Sequence, residues 1–313
     1  VAQQLSNTTI DTLILWITVK WRPKRAFSWD RLKKLLSFGW KMLASSLLDT
    51  IYNNLRNLVI GRIYSSADLA YYNQGDKMPS VIVNNINTSI DSVLLPTMAN
   101  AQDDCTRIKE MTRRAIKMST YAMAPLMMGL AFCAEPIIQL VLTEKWLPCV
   151  PYLRIFCITY MFYPIHTANL NAIKAMGRSD MFLELEIAKK IVGIFLLILT
   201  MNFGVMAMAY SLLVGSVLNQ IINSWPNRKL LFYGYTEQIK DILPSILLAV
   251  GMGICVYFVG FIHLPTIIVL ILQICLGAVI FIGLSALLRF EEFTYIINLI
   301  LGFVNRYKKG DTL

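Results

Sequence analysis

Arg56 is the residue with the strongest claim to chemistry. It stands in KMLASSLLDTIYNNLRNLVIGRI, residues 41–63, a stretch long enough to cross a bilayer as a helix, which takes about 20 residues. Asp49, Asn53, Asn54 and Asn57 share the stretch. Positions 49, 53, 56 and 57 fall at i, i+4, i+7 and i+8, so one helix face carries them. An Arg at the centre of a membrane helix costs about 2.5–3.5 kcal/mol on insertion scales, so it faces a cavity, a partner or water. Two readings of Arg56 follow: the cationic wall of a substrate cavity, or one half of a structural ion pair. A guanidinium in a cavity grips phosphate through paired hydrogen bonds.

A second polar stripe lies in SVIVNNINTSIDSVLLP, where Asn84, Asn87 and Asp91 fall at i, i+3 and i+7, with Asn85 beside them. An amide both donates and accepts, which suits sugar hydroxyls. The same amides also serve as glue between helices, at about 0.6 kcal/mol per bond. His166 and Asn169 stand at i, i+3 on a helix with Pro164, either as ligand contacts or as packed groups. If the second helix ends near Ile63 and the third starts near Pro79, Asn85 and Asn87 lie near the depth of Arg56. Asp91 then lies near the depth of Asp49 and Asn53. Two carboxylates at one depth raise each other's proton affinity. Asp49 and Asp91 are therefore candidates for binding a proton or sodium ion as coupling ion; the alternative pairs Asp91 with Arg56. Glu184, Glu186, Lys189 and Lys190 sit at a helix end and snorkel to the interface.

Catalytic constellations are missing. The sequence has no P-loop, G-x-S-x-G or H-E-x-x-H, and no Asp-rich loop for a metal–diphosphate site. The six cysteines form no C-x-x-C pair, which speaks against a disulfide framework or a zinc site. We therefore expect a transporter and not an enzyme, with no cofactor and no metal.

These residues are carried by a chain of 313 residues, 56% hydrophobic and 15% charged, with mean hydropathy +0.57. Soluble domains carry about 25% charged residues, so the composition describes an integral all-α membrane protein. The net charge of +10 comes from basic residues in short loops, as membrane topology requires, and does not imply a nucleic-acid partner. Nine spans are expected, near residues 2–19, 41–63, 79–98, 118–142, 150–173, 184–201, 205–225, 242–262 and 266–288. Counted alternately, they put every heavily basic loop on one side, with the N-terminus out and the C-terminus in. SSADLAYYNQGDKMPS reads as a loop punctuated by Gly75 and Pro79. FSWDRLKKLLSFGWK reads as an amphipathic helix in the membrane surface or as a linker between bundles, cytoplasmic in both cases. The chain opens VAQQLSNTTIDTLILWITVKW, without an initiator Met, from which we expect a missing N-terminal portion.

The runs FSWDRLKKLLSFGWK, SSLLDTIYNN, SSADLAYYNQGDKMP, VNNINTSIDSVLLP, LTEKWLPCVPYL, YPIHTANLNAIKAMGRSD and EQIKDILPS resemble bacterial polysaccharide flippases of the Wzx type. These belong to the multidrug/oligosaccharidyl-lipid/polysaccharide exporter superfamily, which includes the MATE transporters. The resemblance covers nearly the whole chain. It implies the second lobe plus C-terminal helices of a MATE-like fold. Residues 1–19 would be the last helix of a missing first lobe and 20–40 a cytoplasmic amphipathic linker. Residues 41–226 would be a six-helix second lobe, and 227–313 two C-terminal membrane helices with an amphipathic tail.

It also implies function. Undecaprenyl-diphosphate-linked oligosaccharide would cross from the cytoplasmic to the periplasmic leaflet of the bacterial inner membrane, for lipopolysaccharide, O-antigen or other surface polysaccharide. Partners would be this lipid-linked oligosaccharide, membrane lipids, a polysaccharide polymerase and other assembly proteins. Arg56, Asn53, Asn57, Asn84, Asn87, His166 and Asn169 are the expected cavity residues. The rival readings are an ion-coupled drug/cation antiporter of the same fold, which wants an acidic cavity, and a membrane-embedded polysaccharide polymerase or ligase, which wants a large outer loop.

Overall fold

Helices are the regular elements of the computed structural model, which describes residues 2–19, 28–262 and 264–308. They are α1 Ala2–Thr18, α2 Trp29–Ile63, α3 Ser66–Ala99, α4 Cys105–Phe132, α5 Ala134–Leu142, α6 Val150–Tyr160, α7 Tyr163–Ala175, α8 Ser179–Thr200, α9 Val205–Leu230, α10 Tyr235–Val259, α11 Thr266–Leu287 and α12 Glu291–Lys308. A 3-10 turn, Glu144–Cys149, joins α5 to α6. The expected all-α membrane bundle is borne out. The basic stretch 20–27 lies outside the described residues, as does the side chain of Asp49. The chain divides into two compact units, Val1–Asn54 and Leu55–Leu313. The first contains α1 and most of α2; the second contains the rest.

Among the described helices, α9, α10 and α11 are each long and apolar enough to cross a membrane. The pair α4 and α5, bent by 69°, makes a fourth candidate. Among the other described helices, α1, α6 and α7 are shorter than 18 residues, and α8 carries Glu184, Glu186, Lys189 and Lys190.

The largest departure is at α3. The stretch expected as a loop is helical from Ser66 onward. Ser65 starts it: its hydroxyl accepts from the Asp68 amide at 3.1 Å, and the Asp68 carboxylate accepts from the Ser65 amide at 3.2 Å. This reciprocal capping box satisfies two backbone donors that a helix start leaves orphaned. Gly75 then serves packing and not a turn. A Cβ there would stand 2.7 Å from Tyr152 Cβ and 2.9 Å from the Leu153 nitrogen, so α3 and α6 meet backbone to backbone, as small residues allow between membrane helices.

Prolines explain two further departures. The expected helix over 118–142 starts earlier, at Cys105, where the Asp104 carboxylate accepts from the Arg107 amide at 3.0 Å. It breaks at Cys133, and Pro136 falls in the first turn of α5, where a missing N–H costs little. The expected helix over 150–173 is two helices. Pro164 stands at the start of α7, and its ring would clash with the carbonyl four residues back, at Tyr160. The chain therefore turns at Met161–Phe162.

The main core lies where α4, α5, α6 and α10 meet, around Met123, Met127, Leu153 and Ala249. Gly253 lets α10 lie flat against Phe132: a Cβ there would fall 2.3 Å from the ring. At the basic end of α4, Arg113 donates to Asp241 at 2.7–2.8 Å and Lys117 reaches Glu291 at 2.8 Å and Glu292 at 3.2 Å. The Lys117 ammonium holds the exposed Glu291 carboxyl below its ordinary range.

Gly75→Ala should lower stability by about 1–3 kcal/mol, the usual cost of overpacking. Gly251→Ala, with nothing within 4 Å of its Cβ, should be neutral or gain about 0.5–1 kcal/mol of helix propensity. Thermal unfolding of the two purified variants in one detergent checks both; equal melting points would remove the close α3–α6 approach.

Candidate functional site

Starting α3 at Ser66 resets the register against α2. Arg56 is level with Tyr72 and Asp76, not with Asn85 and Asn87, and it lies within electrostatic reach of Tyr72. The expected level of Asp91 with Asp49 depends on a start at Pro79 and has no basis with a start at Ser66. Arg56 Nη1 donates to the Met208 carbonyl and to Ser211 Oγ, the latter at 2.9 Å. The end of α2 is thus fastened to the first half of α9.

Beside Arg56 runs a ladder of rings. Tyr72 of α3 contacts Tyr152 and Phe156 of α6 edge-on, with centroids 5.9 and 5.1 Å apart. Phe156 meets Tyr160 at 5.8 Å, Tyr160 meets Tyr163 at 4.9 Å, and Tyr163 meets His166 at 5.7 Å. The break at Met161–Phe162 carries the ladder from α6 to α7. Its inner rungs are buried, whereas Tyr163 is 38% exposed. The Tyr160 hydroxyl donates to the Asp76 carboxylate, which ties the break to α3. At the far end, His166 Nδ1 lies 3.2 Å from the Asn223 amide nitrogen of α9. With Asn223 donating, Nδ1 is the unprotonated nitrogen. Lys189 of α8 lies within electrostatic reach of the ring and is itself paired with Glu186.

Helices α2, α3, α6, α7 and α9 therefore present a cation, a carboxylate, a graded aromatic face and an imidazole–amide pair together. Aromatic faces pack against apolar surface and keep a polar tip for hydrogen bonding; the guanidinium is matched to phosphate oxygens. Among the described residues the arrangement contains no nucleophile–base pair.

The other expected site residues differ in burial and partners. Asn53 and Asn84 are exposed, and Asn57 is half-buried. Asn87 is half-buried, and its Oδ1 has no donor among the described residues. It follows Asp76 by about 16 Å of helix rise. Asp91 accepts from Asn171 of α7 at 2.7 Å, a second polar junction further along α3. Asn169 is fully buried in a knot with Gln238 and Asn227. Its Nδ2 donates to Gln238 Oε1 at 2.8 Å, and Gln238 Nε2 returns a bond to Asn169 Oδ1 at 3.0 Å. Asn227 Nδ2 adds a bond to the same Oδ1 at 2.6 Å, and Ser224 Oγ one to Gln238 Oε1 at 3.0 Å. Asn169 thus joins α7, α9 and α10.

Sequence reasoning missed Asp76, Tyr160, Tyr163 and Asn223. Tyr160, Tyr163 and His166 repeat at i, i+3 and i+6 across Pro164, a signal of one polar–aromatic face. Asp76 was hidden inside the stretch expected as a loop.

The fold is that of a membrane flippase. Among solved structures the chain matches the lipid II flippase MurJ in an inward closed conformation, with TM-score 0.72 and 17% identity, over 88% of this chain and 58% of that one. Residues 1–151 match the family described as polysaccharide biosynthesis protein. Curated relatives include the teichuronic acid biosynthesis protein TuaB of Bacillus subtilis (strain 168), 25% identical over 77% of this chain and 50% of that protein. The lipopolysaccharide biosynthesis protein WzxC of Escherichia coli (strain K12) is 26% identical over 77% of this chain and 47% of its own length. The succinoglycan biosynthesis transport protein ExoT of Rhizobium meliloti (strain 1021) is 22% identical over 52% and 33%. The chain spans about half the length of the first two. The resemblance to polysaccharide-export proteins is borne out, and with it a multi-pass place in the inner membrane.

Replacing Asn169 or Gln238 by Leu should destabilise by about 1–3 kcal/mol each, because either change strands the other amide in the core. The double variant should lose less than the sum of the singles. Thermal unfolding of all three checks this, and strict additivity would separate the two residues.

Proposed function

We propose that this chain forms part of a flippase for undecaprenyl-diphosphate-linked oligosaccharide, moved from the cytoplasmic to the periplasmic leaflet by alternating access. The observation that carries the reading is Arg56 beside an aromatic ladder that opens at Tyr163 and His166. The guanidinium suits the diphosphate through charge-assisted bonds. Tyr163 and His166 offer a flat face and polar tips to sugar rings, while the lipid tail stays in the bilayer. The names of the relatives, which concern teichuronic acid, lipopolysaccharide and succinoglycan, support a glycan as cargo. An antiporter of organic cations fits less well, since it would have to place its cargo beside Arg56.

In this reading residues 41–226 form the second lobe, residues 1–19 the last helix of a first lobe, and 227–313 the C-terminal helices and tail. Transport draws on a proton or sodium gradient. Asp91, held by Asn171, is the carboxylate proposed to respond to it, and a polymerase would receive the flipped product.

Arg56→Gln should reduce flipping about tenfold or more, since hydrogen bonds to charged groups contribute about 1.5–3 kcal/mol. Arg56→Lys should keep part of the activity, and Tyr163→Ala should weaken it while leaving the amount of protein in the membrane unchanged. Surface polysaccharide in cells lacking their own flippase measures all three. Full export by Arg56→Gln would make the residue a structural fastener of α2 to α9 and refute the cavity role.

A further inference from the structure

The 28 residues of α4 rise about 42 Å. At the end away from its basic residues, a pocket of about 530 Å³ opens between α5–α6 and α10–α11. Phe132, Tyr257 and Phe261 form its aromatic wall, with Tyr257 centroids 6.1 Å from Phe132 and 5.3 Å from Phe261. Gln273 of α11 lines it and is 2% exposed. Its Nε2 donates to the Val256 carbonyl at 3.1 Å, whereas its Oε1 is buried with no donor among the described residues. A buried amide oxygen in that position calls for an incoming N–H or O–H. Arg154 and Glu135 share the pocket lining. Arg154 is set by bonds from Nε to the Ala131 carbonyl, 3.2 Å, and from Nη2 to Glu135 Oε1, 3.0 Å.

We propose that this pocket holds the phosphoethanolamine head group of a membrane phospholipid. The charges present are one guanidinium and one carboxylate, which match a zwitterion. Arg154 would take the phosphate diester. The ammonium would give its N–H groups to Gln273 Oε1 and Glu135 and lie over the aromatic wall, where cations are attracted to ring faces. The flanking surface consists of the exposed apolar side chains Phe261, Ile262, Leu264, Ile267 and Ile268, a path for acyl chains along the lipid-facing side. That path identifies the occupant as a lipid and not a soluble phosphate ester. The proposal is independent of the flippase reading.

Reconstitution of the protein with equal amounts of phosphatidylethanolamine, phosphatidylcholine and phosphatidylglycerol, followed by native mass spectrometry, tests it. Phosphatidylcholine is also zwitterionic but lacks an N–H donor, so phosphatidylethanolamine should be retained at least about fivefold over it and over the anionic lipid. Gln273→Leu should abolish the preference over phosphatidylcholine, and Gln273→Glu, which keeps the acceptor, should retain it. Glu135→Gln and Arg154→Gln, at more exposed positions, test the same contacts if the Gln273→Leu protein fails to fold, and either should reduce the preference. Equal retention of phosphatidylethanolamine and phosphatidylcholine by the unaltered protein overturns the proposal. So does an intact preference in Gln273→Leu, or in both rim variants. Displacement of the lipid by free phosphoethanolamine at equal concentration would overturn the lipid as source.

Discussion

A polar side chain carried into the bilayer has no water to turn to, so its partner has to come from another helix. That constraint fixes how the helices of the second unit meet. Arg56 is tied to the Met208 carbonyl and Ser211 of α9. Asp76 takes the Tyr160 hydroxyl, Asp91 the Asn171 amide, and Asn169 the Gln238 amide. Tyr121 of α4 donates to Ser285 of α11 at 2.7 Å. A slip of any of these helices by one residue would turn the polar group away from its partner by about 100°. The apolar contacts around them tolerate such a slip far better, because leucine and methionine faces are alike on most sides. Register is therefore set by the polar pairs, and close approach by the glycines at 75 and 253.

The broken helices belong to the same logic. Pro164 ends α6 near Tyr160, and the chain resumes as α7 one turn later. Across the break, the aromatic ladder passes from the buried rings Tyr72 and Phe156 to the exposed ring of Tyr163.

The fold class was legible because composition and hydropathy dominate it: long apolar runs separated by basic loops admit little besides a helical membrane bundle. The polar stripe at Arg56 was legible for the same reason, since charge in such a run stands out. What surrounds Arg56 was not. Gly75 and Pro79 look like turn residues by propensity, but tertiary packing uses the glycine for backbone contact and the capping box at Ser65 starts the helix ahead of both. That single shift moves α3 by some thirteen residues against α2 and exchanges Asn85 and Asn87 for Tyr72 and Asp76 as neighbours of Arg56. Asn169 shows the other limit. Its amide type announces hydrogen bonding, but only its partner Gln238, sixty-nine positions on, shows that the bonds are spent inside the protein.

The contacts at the two ends of α4 differ in what it takes to break them. At the basic end, Arg113–Asp241, Lys117–Glu291 and Lys109–Glu237 each have at least one exposed partner, and such pairs contribute about 0–1 kcal/mol apiece in water. Arg114 adds a ring contact with Tyr295 at 4.9 Å, also at the surface. At the other end α4 is wedged against α10 by Phe132 over Gly253, and α5 turns away by 69° to cover the junction. Opening the basic end exposes charges that water receives readily; opening the other exposes aromatic rings and the stranded oxygen of Gln273. The two ends of α4 are thus held by different forces: solvated ion pairs at the basic end and close apolar packing at the other.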